Sequence, residues 1–220
     1  MVPFREHFGL IFLDLRLYLR AMRMFLIRHG AVNPARHGSF YGGTEVDLSP
    51  QGRIEAKNAA LQLLGIPLGA IYASPLSRAQ FGANQVLQGR SGMKIRTLEG
   101  LREIARGRWV GRTPEEVDSQ FPEDRKFHRL DPWNWRAHEG ESLGDLRVRV
   151  LQCQKDMIQA HPGDGAIAVV SHMFPTRAIV ADALGLDLPA WDELEIPTGS
   201  VSCVDYDSVG KAKVVFMGRA

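Results

Sequence analysis

Three short apolar runs, each ending in polar residues just where a helix is about to begin, constrain this chain more than any other feature. Met24-Phe25-Leu26-Ile27 runs into Arg28-His29-Gly30, Gly69-Ala70-Ile71-Tyr72-Ala73 into Ser74-Pro75, and Ala166-Ile167-Ala168-Val169-Val170 into Ser171-His172. Apolar runs of this length, without polar alternation, read as strands buried on both faces. Helical signals lie between them. Ser49-Pro50 supplies an N-cap and first turn for a helix through Leu61 and Leu64 to a stop at Gly65, and residues 76–87 form a second helix with Ser77 and Arg78 in its first turn. Residues 142–160 carry Leu143, Leu146, Val150, Met157 and Ile158 at mostly helical spacing, and a further helix with Pro175 in its first turn runs to Gly185. Two β-rich segments, 201–206 and 213–217, close the chain. The alternation predicts an α/β fold, a three-layer α/β/α domain on a mostly parallel sheet with its crevice at the carboxyl ends of the strands.

The 220 residues, 45% of them apolar, suffice to fill one core without disulfides or metals. Lys plus Arg (27) nearly balances Asp plus Glu (25), and the formal charge of +2 argues against a nucleic-acid or membrane-surface partner. Any anion site must therefore be local. Cys153 and Cys203 lie far apart in no CxxC pair, which suits reduced thiols in a cytoplasmic protein. Residues 1–23 contain an apolar stretch at 8–13, but Asp14, Arg16 and Arg20 interrupt it well short of the ~20 residues a membrane span needs. That segment is expected to be an N-terminal extension, either an amphipathic helix or sequence preceding a start at Met24. Residues 24–220 are expected to form a single catalytic domain, with a small cap over about 112–140, where Thr113-Pro114-Glu115-Glu116 marks another helix start.

The three strand ends and the helix after Ser74 bring Arg28, His29, Arg78 and His172 toward one crevice. Two guanidiniums and two imidazoles make an anion site, and arginine forks match phosphate oxygens. The sequence lacks GxxxxGK[ST], HExxH and a DxD cluster, so no metal and no cofactor is expected, and the nucleophile must come from the protein. His37, His128, His138 and His161 are read as loop or surface histidines without ligand spacing.

Four ordered motifs carry a resemblance: Leu26-Ile27-Arg28-His29-Gly30; Ser74-Pro75-Leu76-Ser77-Arg78-Ala79; Leu101-Arg102-Glu103 before Gly107-Arg108-Trp109-Val110-Gly111; and Val170-Ser171-His172. In this order they resemble the histidine phosphatase superfamily, which includes cofactor-dependent phosphoglycerate mutases and α-ribazole phosphatases. The resemblance runs from Met24 to about Gly218. It implies His29 as nucleophile, Glu103 as general acid and then base, and Arg28, Arg78 and His172 as the phosphate clamp, with a protonated His172 adding a second cationic donor. The shortness of the stretch from Glu103 to His172, with Pro132, Trp133, Trp135 and Gly140-Glu141-Ser142, resembles the phosphatase branch. The implied function is hydrolysis of a small phosphomonoester, α-ribazole phosphate among the candidates. A phosphoglycerate mutase and a binding module that has lost catalysis are the alternatives. Trp133 and Trp135 either stack on the substrate or pack the cap, and Asn33 is a further candidate for substrate binding. The expected partner is a small phosphorylated substrate, not nucleic acid or membrane, and a homodimer is left open.

Departures from the family pattern fall at Ala31, Ala35, Val110, Met173 and Phe174. They predict a looser clamp and a more apolar pocket than in the best-known members.

Overall fold

The computed structural model describes residues 22–33, 38–136, 138–163, 165–187, 190–207 and 210–220. Its strands are β1 (Met22–Arg28), β2 (Leu68–Ala73), β3 (Ile95–Thr97), β4 (Gly165–Ser171), β5 (Val201–Tyr206) and β6 (Ala212–Arg219). They pair in the order β3-β2-β4-β1-β5-β6, and only β5 runs against the others. The helices are α1 (Pro50–Leu61), α2 (Ser77–Leu87), α3 (Pro114–Gln120), α4 (Pro122–Leu130), α5 (Leu143–Ala160) and α6 (Met173–Leu184).

Alternate residues of each central strand enter different cores, because successive side chains point to opposite faces of the sheet. Met24, Leu26, Ile167, Val169 and Val204 pack against Leu146 and Val150 of α5 and Ile179 of α6. Phe25, Ile27, Ala168, Val170 and Cys203 pack instead against Ala59 of α1 and Ala79, Ala83 and Val86 of α2. The expected three layers follow from this division. Helix starts are set by local chemistry. Ser49 accepts from the Gly52 amide at 2.9 Å, and Thr113 with Glu116 and Ser142 with Asp145 form capping boxes, each cap contributing about 1 kcal/mol.

Three boundaries differ from expectation. β1 begins at Met22, inside the segment assigned to the extension, because Met22 and Arg23 pair with both β4 and β5 and Arg23 binds Asp205 through two 2.7 Å contacts. α1 ends at Leu61, and tight turns carry the chain on to Gly65. β3 is an edge strand of three residues with little burial, too short for a sequence pattern. The expected N-terminal helix, Ala35 and His37 lie outside the described residues.

Candidate active site

The last residues of β1, β2 and β4 are pinned to one another by the backbone. His29 donates its amide to the Ser171 carbonyl at 3.0 Å, Ser74 donates to Val170 at 3.0 Å, and the His29 carbonyl accepts from Gly199 at 3.0 Å. Gly30 is required by packing. A Cβ there would lie 1.9 Å from the Gly52 carbonyl oxygen, so the turn after His29 can press onto the start of α1 only with glycine at both positions. Ala31 completes that contact by donating its amide to Glu55 at 2.8 Å.

His29 is buried. Its Nδ1 lies 2.7 Å from the Gly30 carbonyl, an acceptor only, so Nδ1 carries the proton and the Nε2 lone pair is left uncommitted. Burial, and then the charges of Arg78 and Arg28, hold this imidazole well below its usual titration range. His172 is also buried, its ring centroid 5.0 Å from that of His29. Its Nε2 meets the Ser74 hydroxyl at 2.7 Å, while Ser74 Oγ accepts from the Leu76 amide at 3.3 Å. The hydroxyl proton thus points to Nε2 and leaves Nδ1–H as a donor. The surroundings of His172 work against the cationic form expected from the sequence. Burial, and then His29, Arg78 and Arg28, hold its imidazole well below its usual titration range.

Arg78 is 1% exposed, unlike an ordinary helix-surface arginine. Its two terminal nitrogens donate to the carbonyls of Thr44 and Gly42 at 2.7 Å each. Arg28, half-buried, donates to the Ile196 carbonyl at 2.5 Å. Arg28 Nε, Arg78 Nε and His172 Nδ1 are buried without partners among the described residues. Unpartnered buried donors are costly, and a phosphate supplies the acceptors this cluster lacks.

Glu103 is 7% exposed and sits at the N-terminus of α6. Its carboxylate accepts from the amides of Ile104 at 2.9 Å, Met173 at 3.1 Å and Phe174 at 3.3 Å. At two of the family departures it is therefore the backbone that contributes, and the side-chain identity does not weaken the contact. Arg149 of α5, which sequence reasoning missed, holds this segment by donating to the carbonyls of Gly100, Arg102 and Glu103, and is itself paired with Glu141 at 2.6 Å. Its signal was faint, since an arginine amid a helical pattern looks like a solvated charge.

The remaining candidates lie elsewhere. Trp133 packs against Trp191, centroids 5.7 Å apart, and its carbonyl accepts from Gly144 in the first turn of α5. Trp135 stacks on Trp109 and His138. Both serve packing, one of the two roles open to them. Asn33 is exposed, with its amide bonded to the Asp47 carbonyl. His138, expected at a loop or the surface, is fully buried, its ring stacked on Trp135 and tilted against Trp109. Among the described residues no group of His, Cys, Asp or Glu side chains could hold a metal, and no helix is long and apolar enough to cross a membrane.

Comparison with known proteins agrees with this geometry. Phosphoserine phosphatase 1 of Hydrogenobacter thermophilus is 30% identical over 186 residues, 84% of this chain and 87% of that protein. Glucosyl-3-phosphoglycerate phosphatase of Mycolicibacterium vanbaalenii is 32% identical, covering 80% of each. The native structure of a mycobacterial glucosyl-3-phosphoglycerate phosphatase superposes with a TM-score of 0.80 at 26% identity, over 91% of this chain and all of that one. Residues 24–217 match the profile of the histidine phosphatase superfamily, branch 1. The chain, with its Arg-His-Gly turn at the end of β1 and its second histidine at the end of β4, belongs to that superfamily and is a phosphoric monoester hydrolase.

Proposed function

We propose that the protein hydrolyses a small phosphorylated metabolite through a phosphohistidine formed on His29, in a cytoplasmic setting and without a cofactor. The observation that carries this reading is the state of His29: neutral, buried, oriented by Gly30, and flanked by two arginines. Nε2 attacks phosphorus in line, the P–O bond to the alcohol breaks, and Glu103 gives its proton to the departing oxygen. Water then attacks the phosphohistidine, Glu103 takes the proton back, and the P–N bond breaks with its electron pair returning to Nε2. Arg28 and Arg78 meet the charge spread over the phosphoryl oxygens throughout. When the dianion binds, its charge favours protonation of His172, which then donates from Nδ1.

Hydrolysis is favoured over mutase transfer because the stretch between Glu103 and His172 is short. Relatives are named for different alcohols, so α-ribazole phosphate stays within the class without being singled out. The test is p-nitrophenyl phosphate in excess EDTA. Steady release of phosphate is expected, and a phosphorylated peptide containing His29 should be trapped by neutral quenching and mass analysis. Loss of turnover on chelation, or phosphate carried on another side chain, would overturn the mechanism.

A further inference from the structure

The peptide group that joins Gly30 to Ala31 is engaged at both ends. Its carbonyl accepts the Nδ1 proton of His29 at 2.7 Å, and its amide donates to Glu55 Oε2 at 2.8 Å. Resonance couples the C=O and N–H of one peptide group. An uninterrupted hydrogen-bonded chain therefore runs from the Glu55 carboxylate, through that peptide, to the imidazole whose Nε2 lone pair is uncommitted.

The scaffold fixes Glu55 for this contact. Glycines at 30 and 52 let the start of α1 press onto the turn, and one turn further along α1 the half-buried Glu55 packs on Gly199. A Cβ added at Gly199 would lie 2.5 Å from the Glu55 Cβ, and the Gly199 amide itself donates to the His29 carbonyl at 3.0 Å. The Ala31 carbonyl is held too, by the Ser49 amide at 2.9 Å and the Ser49 hydroxyl at 3.1 Å. Among the described residues Glu55 forms no ion pair, so no cation competes with the Ala31 amide for its charge. The nucleophile needs such support, because burial and the charges of Arg78 and Arg28 draw basicity out of His29. A carboxylate at the far end of the chain works in the opposite sense. It polarises the peptide, makes the Gly30 carbonyl a stronger acceptor, and leaves more electron density on Nε2 as the N–P bond forms.

We propose that Glu55 is a positioning residue that acts through the Gly30–Ala31 peptide to fix the tautomer of His29 and raise the nucleophilicity of its Nε2. This rests on the phosphohistidine reading above and deepens it. Aryl phosphates isolate the step concerned, because their leaving group needs no proton from Glu103. On p-nitrophenyl phosphate, Glu55→Gln, which keeps an acceptor for the Ala31 amide but removes the charge, should lower kcat/KM about threefold to tenfold, the scale on which a charge-assisted hydrogen bond exceeds a neutral one. Glu55→Asp keeps the charge and should be faster than Glu55→Gln. Competitive inhibition by inorganic phosphate reads the arginines rather than the nucleophile, and should stay within about twofold of wild type in both variants. Nitrogen NMR of the wild-type His29 ring needs no variant to fold, and should show the proton on Nδ1. A proton on Nε2, a Glu55→Gln enzyme equal to wild type, or phosphate inhibition weakened in step with kcat/KM would each overturn the assignment. No turnover of p-nitrophenyl phosphate by wild type, or phosphate trapped on another side chain, sinks the phosphohistidine reading itself. Turnover through His29 that ignores Glu55→Gln sinks only the role of Glu55.

Discussion

The phosphate end of the crevice and its cap end are built in different ways. His29 and His172 follow strands whose backbones are locked to one another, and the groups around them are oriented by carbonyls and a serine. The cap end rests on loops and two short helices, held by a stack of Trp109, Trp135 and His138 and by the Arg108–Asp124 pair, with Trp109 donating to Asp124. Rigid strand ends suit a step that every substrate shares, whereas side-chain packing on loops can vary with the alcohol. The chemistry should therefore be sensitive at the strand ends and substrate choice sensitive at the cap.

The most severe test of this contrast is His29→Ala. It removes the atom that accepts the phosphoryl group, so turnover should fall on the order of a thousandfold or more on every substrate. Stopped assays with aryl and alkyl phosphates would check it, and a loss confined to one substrate would blur the division. Glu103→Gln should discriminate. Alkyl phosphates, whose alkoxide needs a proton, should lose on the order of a hundredfold more than aryl phosphates. Equal losses would remove Glu103 from the role of acid. The smallest effect concerns the cap. His128 and His138 are lowered to about 4, while an unfolded chain's histidines titrate near 6.5, so between these limits the unfolded state binds more protons. Stability should be level above about pH 6.5 and decline as pH falls toward 4. His29 and His172, also lowered, add to that slope. Among the described residues neither ring nitrogen of His138 makes a well-formed hydrogen bond, so His138→Phe should flatten part of the decline. Melting temperatures measured across that range would show it, and an unchanged slope would absolve His138.

The same contrast explains what could be read before the structure. The runs ending at Ile27, Ala73 and Val170 were legible because a strand buried on both faces leaves a continuous apolar signal, and the polar residues at their ends mark a crevice. Caps at Ser49, Thr113 and Ser142 were legible because their chemistry is local. Contacts made by backbone were not. The amides of Met173 and Phe174 hold Glu103 whatever side chains they carry, and the carbonyls of Gly42 and Thr44 fix Arg78 without any motif. The state of His138 was hidden too, since Trp135 is near it in the chain but Trp109, the second ring against it, is not.

The position of β4 bears on how the molecule comes into being. β1 and β2 are not neighbours, because β4 lies between them. During synthesis the first two strands emerge with more than ninety residues still to come before Gly165, as the numbering of the strands requires. Until β4 inserts, His29 and Ser74 have no common scaffold, and two apolar strand edges await a partner. Such non-local pairing slows folding and exposes edges that can pair wrongly. A nascent chain released before residue 171 would thus carry its nucleophile without the second histidine, and the catalytic crevice would be assembled late, in a single closing event at the centre of the sheet.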